Sequence, residues 1–258
     1  MKAKILFTLT LQLILLFSAH AQNVRFPFNG VIEYDKTVNM YALIKKLTTG
    51  SNDVFYTQAY ESYVKNQPQF RTSKSTLSFS KDKMLFSPLE DATPARSGFF
   101  DLAQSKQVNS IYTDLSSKTA VTQKNIYEEL FILKDSVRKI NWKITTETRE
   151  IAGYQCRRAN ALIMDSIYVV AFYTDQIPVS GGPESFNGLP GMILGVALPH
   201  ENVTWFATKV TDRAVTPKEL YIPVKGKPVD KKGLMDVLSR AFKNWGNEKQ
   251  SNLKAFTL

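Results

Sequence analysis

This chain of 258 residues has one cysteine, Cys156, and two histidines, His20 and His200. A single cysteine excludes an internal disulfide framework and any cysteine-rich metal site. His20 lies in an apolar leader, so His200 is the one imidazole left to the folded protein. A zinc site with several histidines is thereby excluded, and any Ser-His or Cys-His mechanism has to run through His200. There is no glycine-rich phosphate loop and no block of consecutive Lys and Arg, so nucleotide and nucleic-acid binding have no sequence support. The net charge of +10 is scattered, with Lys45-Lys46, Arg157-Arg158 and Lys231-Lys232 as the densest pairs. Such charge reads first as a solvated surface, and second as an affinity for anionic lipid or polysaccharide. No cofactor is indicated.

What is present begins with a leader. Lys2 and Lys4 precede an apolar run from Ile5 to Phe17, and Ala19-His20-Ala21 follows. A positive start, a short apolar core and a small-x-small site describe a signal peptide over residues 1–21. No later segment approaches the roughly 20 apolar residues of a spanning helix. The expectation is one exported domain over residues 22–258, without a transmembrane segment, in the periplasm, at the outer membrane or secreted.

Hydrophobic periodicity then sets the fold class. Asn29 to Asp35 reads as a strand, Tyr41 to Leu47 as a short helix, and Asn52 as the cap of a second helix whose Phe55, Ala59 and Tyr63 would pack on a core. Leu77 and Phe79 alternate with polar residues ahead of "SKDK" (80–83) and Met84-Leu85-Phe86, a hairpin signal. Pro88 to Gly98 reads as a loop. Val108–Thr113 would pair with Lys118–Val121, and Tyr154–Ile163 with Ile167–Thr174. Met192–Leu198 would pair with Val203–Val210 across "PHEN". Ile140, Trp142, Ile144 and Thr146 alternate with polar residues, which predicts a strand with one wet and one dry face. Leu234, Val237, Leu238, Ala241, Phe242 and Trp245 fall on one helical stripe, with Asp230 as N-cap and Gly246 as stop. The class is α+β: a mostly antiparallel, curved, half-barrel-like sheet with helices near the N-terminus and a C-terminal capping helix.

The most unusual stretch is "FNGLPGMILGV" (186–196). Proline at 190 and glycine at 191 predict a type II turn over Leu189–Met192, feeding an apolar strand with a bulge or bend at Gly195. Gly188-Leu189-Pro190-Gly191 closely resembles the GLPGLI motif, with Met192 in place of the second leucine. "WKITTETREIAGYQCRRANA" (142–161) is similar to that family's W-x-I-x-x-E-T-K-x-I-x-G-Y-x-C-x-x-A stretch, with Arg149 for lysine. "AFYTDQIPVSGGPESFNGLPG" (171–191) is similar to its A-[FW]-Y-T-x-x-I-P-x-x-x-G-P-x-x-F-x-G-L-P-G stretch. The resemblance covers Trp142 to Val196. It implies an exported protein of Bacteroidetes-type bacteria and no settled activity. Its motif positions Tyr173, Pro178, Pro183, Phe186, Gly188, Leu189, Pro190 and Gly191 are the candidate contacts with a ligand or partner. Phe186 and Leu189 are the side chains beside the turn most able to touch one.

Candidate chemistry is sparse. Ser180 sits among glycines and His200 in a polar turn, but no G-x-S-x-G is present. Glu128-Glu129 would face opposite sides of a strand, and Glu147 and Glu150 read as solvated. Cys156 reads as a small buried hydrophobe, with an intermolecular or redox-active thiol as the alternative. The expected function is therefore a non-enzymatic binding or carrier module for an apolar small molecule, a peptide or an outer-membrane protein. The alternatives are a hydrolase using His200 or carboxylates, and a purely structural envelope module.

Overall fold

The structure, a computed structural model, describes residues 26–48, 54–89, 102–106, 109–126, 129–245 and 248–258. The leader, Asn52, most of the loop expected after Pro88, Glu128 and Gly246 lie outside them.

Twelve strands form one open sheet: β1 (Asn29–Asn39), β2 (Phe70–Ser80), β3 (Lys83–Pro88), β4 (Asn109–Asp114), β5 (Thr119–Ile126), β6 (Glu129–Ser136), β7 (Lys143–Ile151), β8 (Tyr154–Ile163), β9 (Ile167–Thr174), β10 (Met192–Leu198), β11 (Val203–Thr211) and β12 (Lys227–Val229). Their order is β12-β6-β5-β4-β3-β2-β1-β11-β10-β9-β8-β7. Two meanders, β1–β6 and β7–β11, meet where β1 pairs with β11. Every pairing is antiparallel except that of β12 on β6. The helices are α1 (Met40–Thr48), α2 (Val54–Asn66), α3 (Ala103–Lys106), α4 (Lys231–Ala241) and α5 (Glu248–Thr257). This is the curved α+β sheet that the alternation predicts.

The curvature follows from one connection. β6 and β7 lie ten strand spacings apart in the sheet order, about 48 Å if the sheet were flat. Only Val137–Trp142 joins them, and that strap reaches about 25 Å when fully extended. The sheet has to curl until its two halves face each other. β1 shows the result: Ile32, Tyr34, Lys36 and Val38 point inward and are buried, while Glu33, Asp35 and Thr37 between them are not. The Tyr34 hydroxyl donates to the Ile193 carbonyl at 2.6 Å inside the curl, across β11.

Ile140 and Trp142 therefore do not open β7 as their alternation suggests. They belong to the strap and pack against the core, where Trp142 Nε1 donates to the Asn187 carbonyl at 2.8 Å. β7 is an edge strand with most of its residues exposed. The aromatic stripe of α2 also differs from expectation. Ala59, Tyr60 and Tyr63 are only partly buried, and Phe55 is 56% exposed. The helix holds to α1 through the Tyr41 hydroxyl, which donates to the carbonyls of Val64 and Gln67. At the other end of the chain the predicted stripe does cover the sheet. Leu234, Leu238 and Phe242 pack on Ile126 and Phe131 of β5 and β6, and Asp230 caps α4 by accepting from Gly233 N at 2.7 Å.

The Gly-Leu-Pro-Gly corner is tighter than a type II turn. Gly191 N donates to the Leu189 carbonyl at 2.8 Å across Pro190, which is a three-residue γ-turn. Gly191 has φ +148°, and a Cβ there would lie 2.1 Å from the Thr174 carbonyl oxygen. Close approach to β9, more than turn type, requires this glycine. The register of β10 on β9 shifts between Ile193 and Gly195, so the predicted bulge is present.

Two outcomes follow. Gly191→Ala should cost about 3 kcal/mol or more in thermal or denaturant unfolding, because backbone and not a flexible side chain blocks the Cβ, whereas exposed Pro190→Ala should cost under ~1 kcal/mol. Trp142→Phe should cost about 1 kcal/mol for the lost hydrogen bond. Trp142→Ala should cost about 2–3 kcal/mol more, since it also removes the strap's apolar anchor.

Candidate functional site

Residues 175–191 join β9 to β10 and run through the interior instead of over the surface. Ile177, Val179, Phe186 and Leu189 are core residues. Backbone bonds stitch the segment to the start of β10: Met192 N donates to Ile177 O and Ile193 N to Gly181 O, at 3.0 and 2.7 Å. A turn closes from Phe186 N to Pro183 O at 3.1 Å, and within it Glu184 adopts φ +51°. A non-glycine residue in that region carries strain that the surroundings have to enforce. The effect is to hold the Glu184 carboxylate inside, where Oε2 accepts from Asn109 Nδ2 at 2.8 Å.

Around Glu184 the sheet supplies cations. Lys36 from β1 and Lys124 from β5 are 7% and 5% exposed, and Arg138 comes from the strap. Burial pushes the Lys124 ammonium down to about 8, with Glu184 opposing and Arg138 and Lys36 adding to the shift. Burial likewise lowers Lys36 and Arg138, and Glu184 opposes in both cases. Lys36 Nζ also stands 5.4 Å from the centroid of the Trp205 ring, and Trp205 Nε1 is buried without a partner. A small cavity of about 20 Å³ bordered by Lys36, Glu184, Glu201 and Trp205 has room for roughly one water.

A much larger cleft, about 670 Å³, opens beside this cluster. The register builds its wall in rows, Ile111 opposite Thr122 opposite Leu133 and Thr113 opposite Ala120 opposite Asp135, with Lys124 beyond them on β5. The strap, the β8–β9 turn, Ser185, Asn187, α4 and the end of α5 complete it. At its inner end Lys124 Nζ donates to Phe256 O at 2.5 Å, and Arg138 Nη2 donates to Thr257 O at 2.7 Å. Arg138 Nη1 is buried with no partner. At its rim Leu162 is 62%, Met164 43% and Met235 38% exposed.

The eight motif residues divide between two environments. Tyr173, Pro183, Phe186, Leu189 and Gly191 are buried, Phe186 with its ring against Trp205. Pro178, Gly188 and Pro190 face solvent. None of the eight borders the 670 Å³ cleft, whose turn residues Ser185 and Asn187 are their neighbours. Sequence reasoning missed Lys36, Lys124, Arg138 and Glu184. The one available signal was Lys36, an inward position on an otherwise alternating apolar strand.

The other candidates resolve into ordinary structure. Ser180 Oγ accepts from Gly188 N at 3.0 Å, and the His200 ring lies 6.4 Å from that of Tyr168. Glu147 pairs with Arg158 and Glu129 with Lys227, each at 2.6 Å. Cys156 is fully buried, with burial pushing its thiol up to about 12, which leaves essentially no thiolate near neutral pH. Among the described residues no group of three or more His, Cys, Asp or Glu could hold a metal, and no helix is long and apolar enough to cross a membrane.

Comparison with known proteins adds fold and little else. No curated protein matches the sequence. Two solved structures, titled "Structure of PNGF-II in C2 space group" and "Structure of PNGF-II in P21 space group", superpose with TM-scores of 0.51 and 0.50 at 16% and 17% identity. Each similarity covers 81% of this chain but only 32% and 33% of those longer chains, so it speaks for the β-rich fold alone. A family model described as "Protein of unknown function (Porph_ging)" matches residues 162–195. That stretch runs from the end of β8 through the Gly-Leu-Pro-Gly corner to Gly195, and the match is consistent with a Bacteroidetes-type family of unknown function.

Proposed function

We propose that this protein is an exported binding module of the cell envelope, of GLPGLI type, whose half-barrel-like sheet takes an apolar small molecule into the 670 Å³ cleft. The cleft carries the reading. Its volume lies inside the roughly 300–1,000 Å³ range of small-molecule sites. Its wall offers Ile111, Ala120, Leu133 and Ile140, and its rim offers exposed Leu162, Met164 and Met235. Large apolar side chains exposed around one opening mark a place where something apolar is received. The export half of the reading rests on the leader over residues 1–21 and on the motifs between Trp142 and Val196.

The buried cations support a site over a purely structural module. A lysine kept inside the fold at a cost to stability characterises functional positions. Here the sign is definite. Lys124 has its pKa depressed to about 8 from the ordinary 10.5. Between those values the unfolded chain holds the proton and the folded chain does not, so stability rises as pH climbs from 8 to 10.5.

Two measurements check this. Ala120→Trp should weaken binding of the neutral fluorescent probe N-phenyl-1-naphthylamine by about tenfold or more, with the unfolding midpoint nearly unchanged. Undiminished binding in that variant, or no binding by the wild type, refutes the cleft as the site. Lys124→Met should unfold at higher temperature than wild type at pH 7. The gap should narrow by roughly 3 kcal/mol in equivalent stability as pH rises past 10.

A further inference from the structure

We infer that the ligand is an anionic amphiphile, with a carboxylate or phosphate head held by Lys124 and Arg138 and its chain lying against the apolar side chains of the cleft. This rests on the cleft being a binding site and goes further by naming the ligand's chemistry.

The argument is one of unmatched donors. An arginine carries five N–H donors and a lysine three, and neither accepts. Arg138 spends Nη2 on the main-chain oxygens of Thr257 and Leu258, at 2.7 and 3.3 Å, and leaves Nη1 buried with no partner. Lys124, 5% exposed, donates one hydrogen bond, to Phe256 O. Both residues border the cleft. The acceptors at Phe256 and Thr257 are neutral amide oxygens, weaker partners than an anionic oxygen for a charged donor.

The charge balance points the same way. Of the carboxylates near the cleft, Asp135 is matched by Lys231 and Glu201 by Lys254, both at 3.5 Å. Glu184 acts on Lys36, Lys124 and Arg138 alike, Asp135 acts on Arg138 as well, and Asn109 Nδ2 donates to Glu184 Oε2. A buried arginine and lysine with donor capacity to spare are stabilised by an incoming anion and penalise a cation. Lys139 borders the same cleft. Ile111, Leu133 and Ile140 line the same cleft as these heads and supply its apolar surface.

Calorimetric titration of the full chain with decanoate, decyl phosphate, decanol and decyltrimethylammonium tests this. Decanoate or decyl phosphate, or both, should bind about tenfold or more tightly than decanol, and the ammonium amphiphile weakest of all. Whichever anion binds more tightly identifies the head. Arg138→Gln and Lys124→Met should each erase most of that margin between the anions and decanol, and Arg138→Lys should restore part of it. The ligand series on the wild type decides the matter even if a variant does not fold. Equal affinity for decanol and the anions overturns the anionic head and leaves the apolar cleft standing. Inorganic phosphate binding as tightly as decyl phosphate overturns the amphiphile. No binding by any of the probes overturns the cleft itself.

Discussion

Six residues hold this architecture in shape. Val137–Trp142 join two strands that a flat sheet would keep about twice as far apart as the connection can reach. Curvature is therefore obligatory, and an interior is created that something has to fill. The twist of β-strands favours curling, the bulge between Ile193 and Gly195 bends one strand further, and Trp142 pins the strap to the buried turn through Asn187. Almost every other feature is a consequence of what occupies that interior.

The main occupant is the segment between β9 and β10. Burying an irregular segment is costly unless its polar groups find partners, and here backbone bonds to the start of β10 supply them. Gly191 allows the segment to enter β10 in contact with the end of β9, and the Phe186 and Leu189 side chains fill the space enclosed. At the tip of the segment a strained turn brings one carboxylate, Glu184, to three cations from distant parts of the chain. Filling is incomplete near β4–β6, where the strap, α4 and α5 stand off the sheet and leave the cleft. The site is thus the place where the packing problem set by the strap is solved only in part.

How legible this was depended on the range of the interaction. β8, β9 and β10 appear with the ends that the sequence predicts, since apolar runs bounded by turn residues are a local signal. The stripe Leu234, Leu238, Phe242 found its face for the same reason at helical period. Ile140 and Trp142 misled because a strap lying across a core shows the same spacing as a strand lying on one. The α2 stripe misled because periodicity reports which residues share a face, and not how much of that face a neighbour covers. Arg138 and Lys124 looked like members of a scattered basic surface, since nothing in their immediate sequence distinguishes an inward cation from an outward one.

The sequence by itself determined the class of fold, the run of strands, the capped C-terminal helix, the scarcity of imidazole and thiol, and the Pro-Gly corner, all of which depend on residues within a turn or two of one another. Tertiary structure alone decided which side of the sheet became the inside. It brought Lys36, Lys124, Arg138 and Glu184 together from four separate segments and left a cleft beside them. Those outcomes depend on how far a six-residue strap can reach across twelve strands, and no local pattern of polarity encodes that distance.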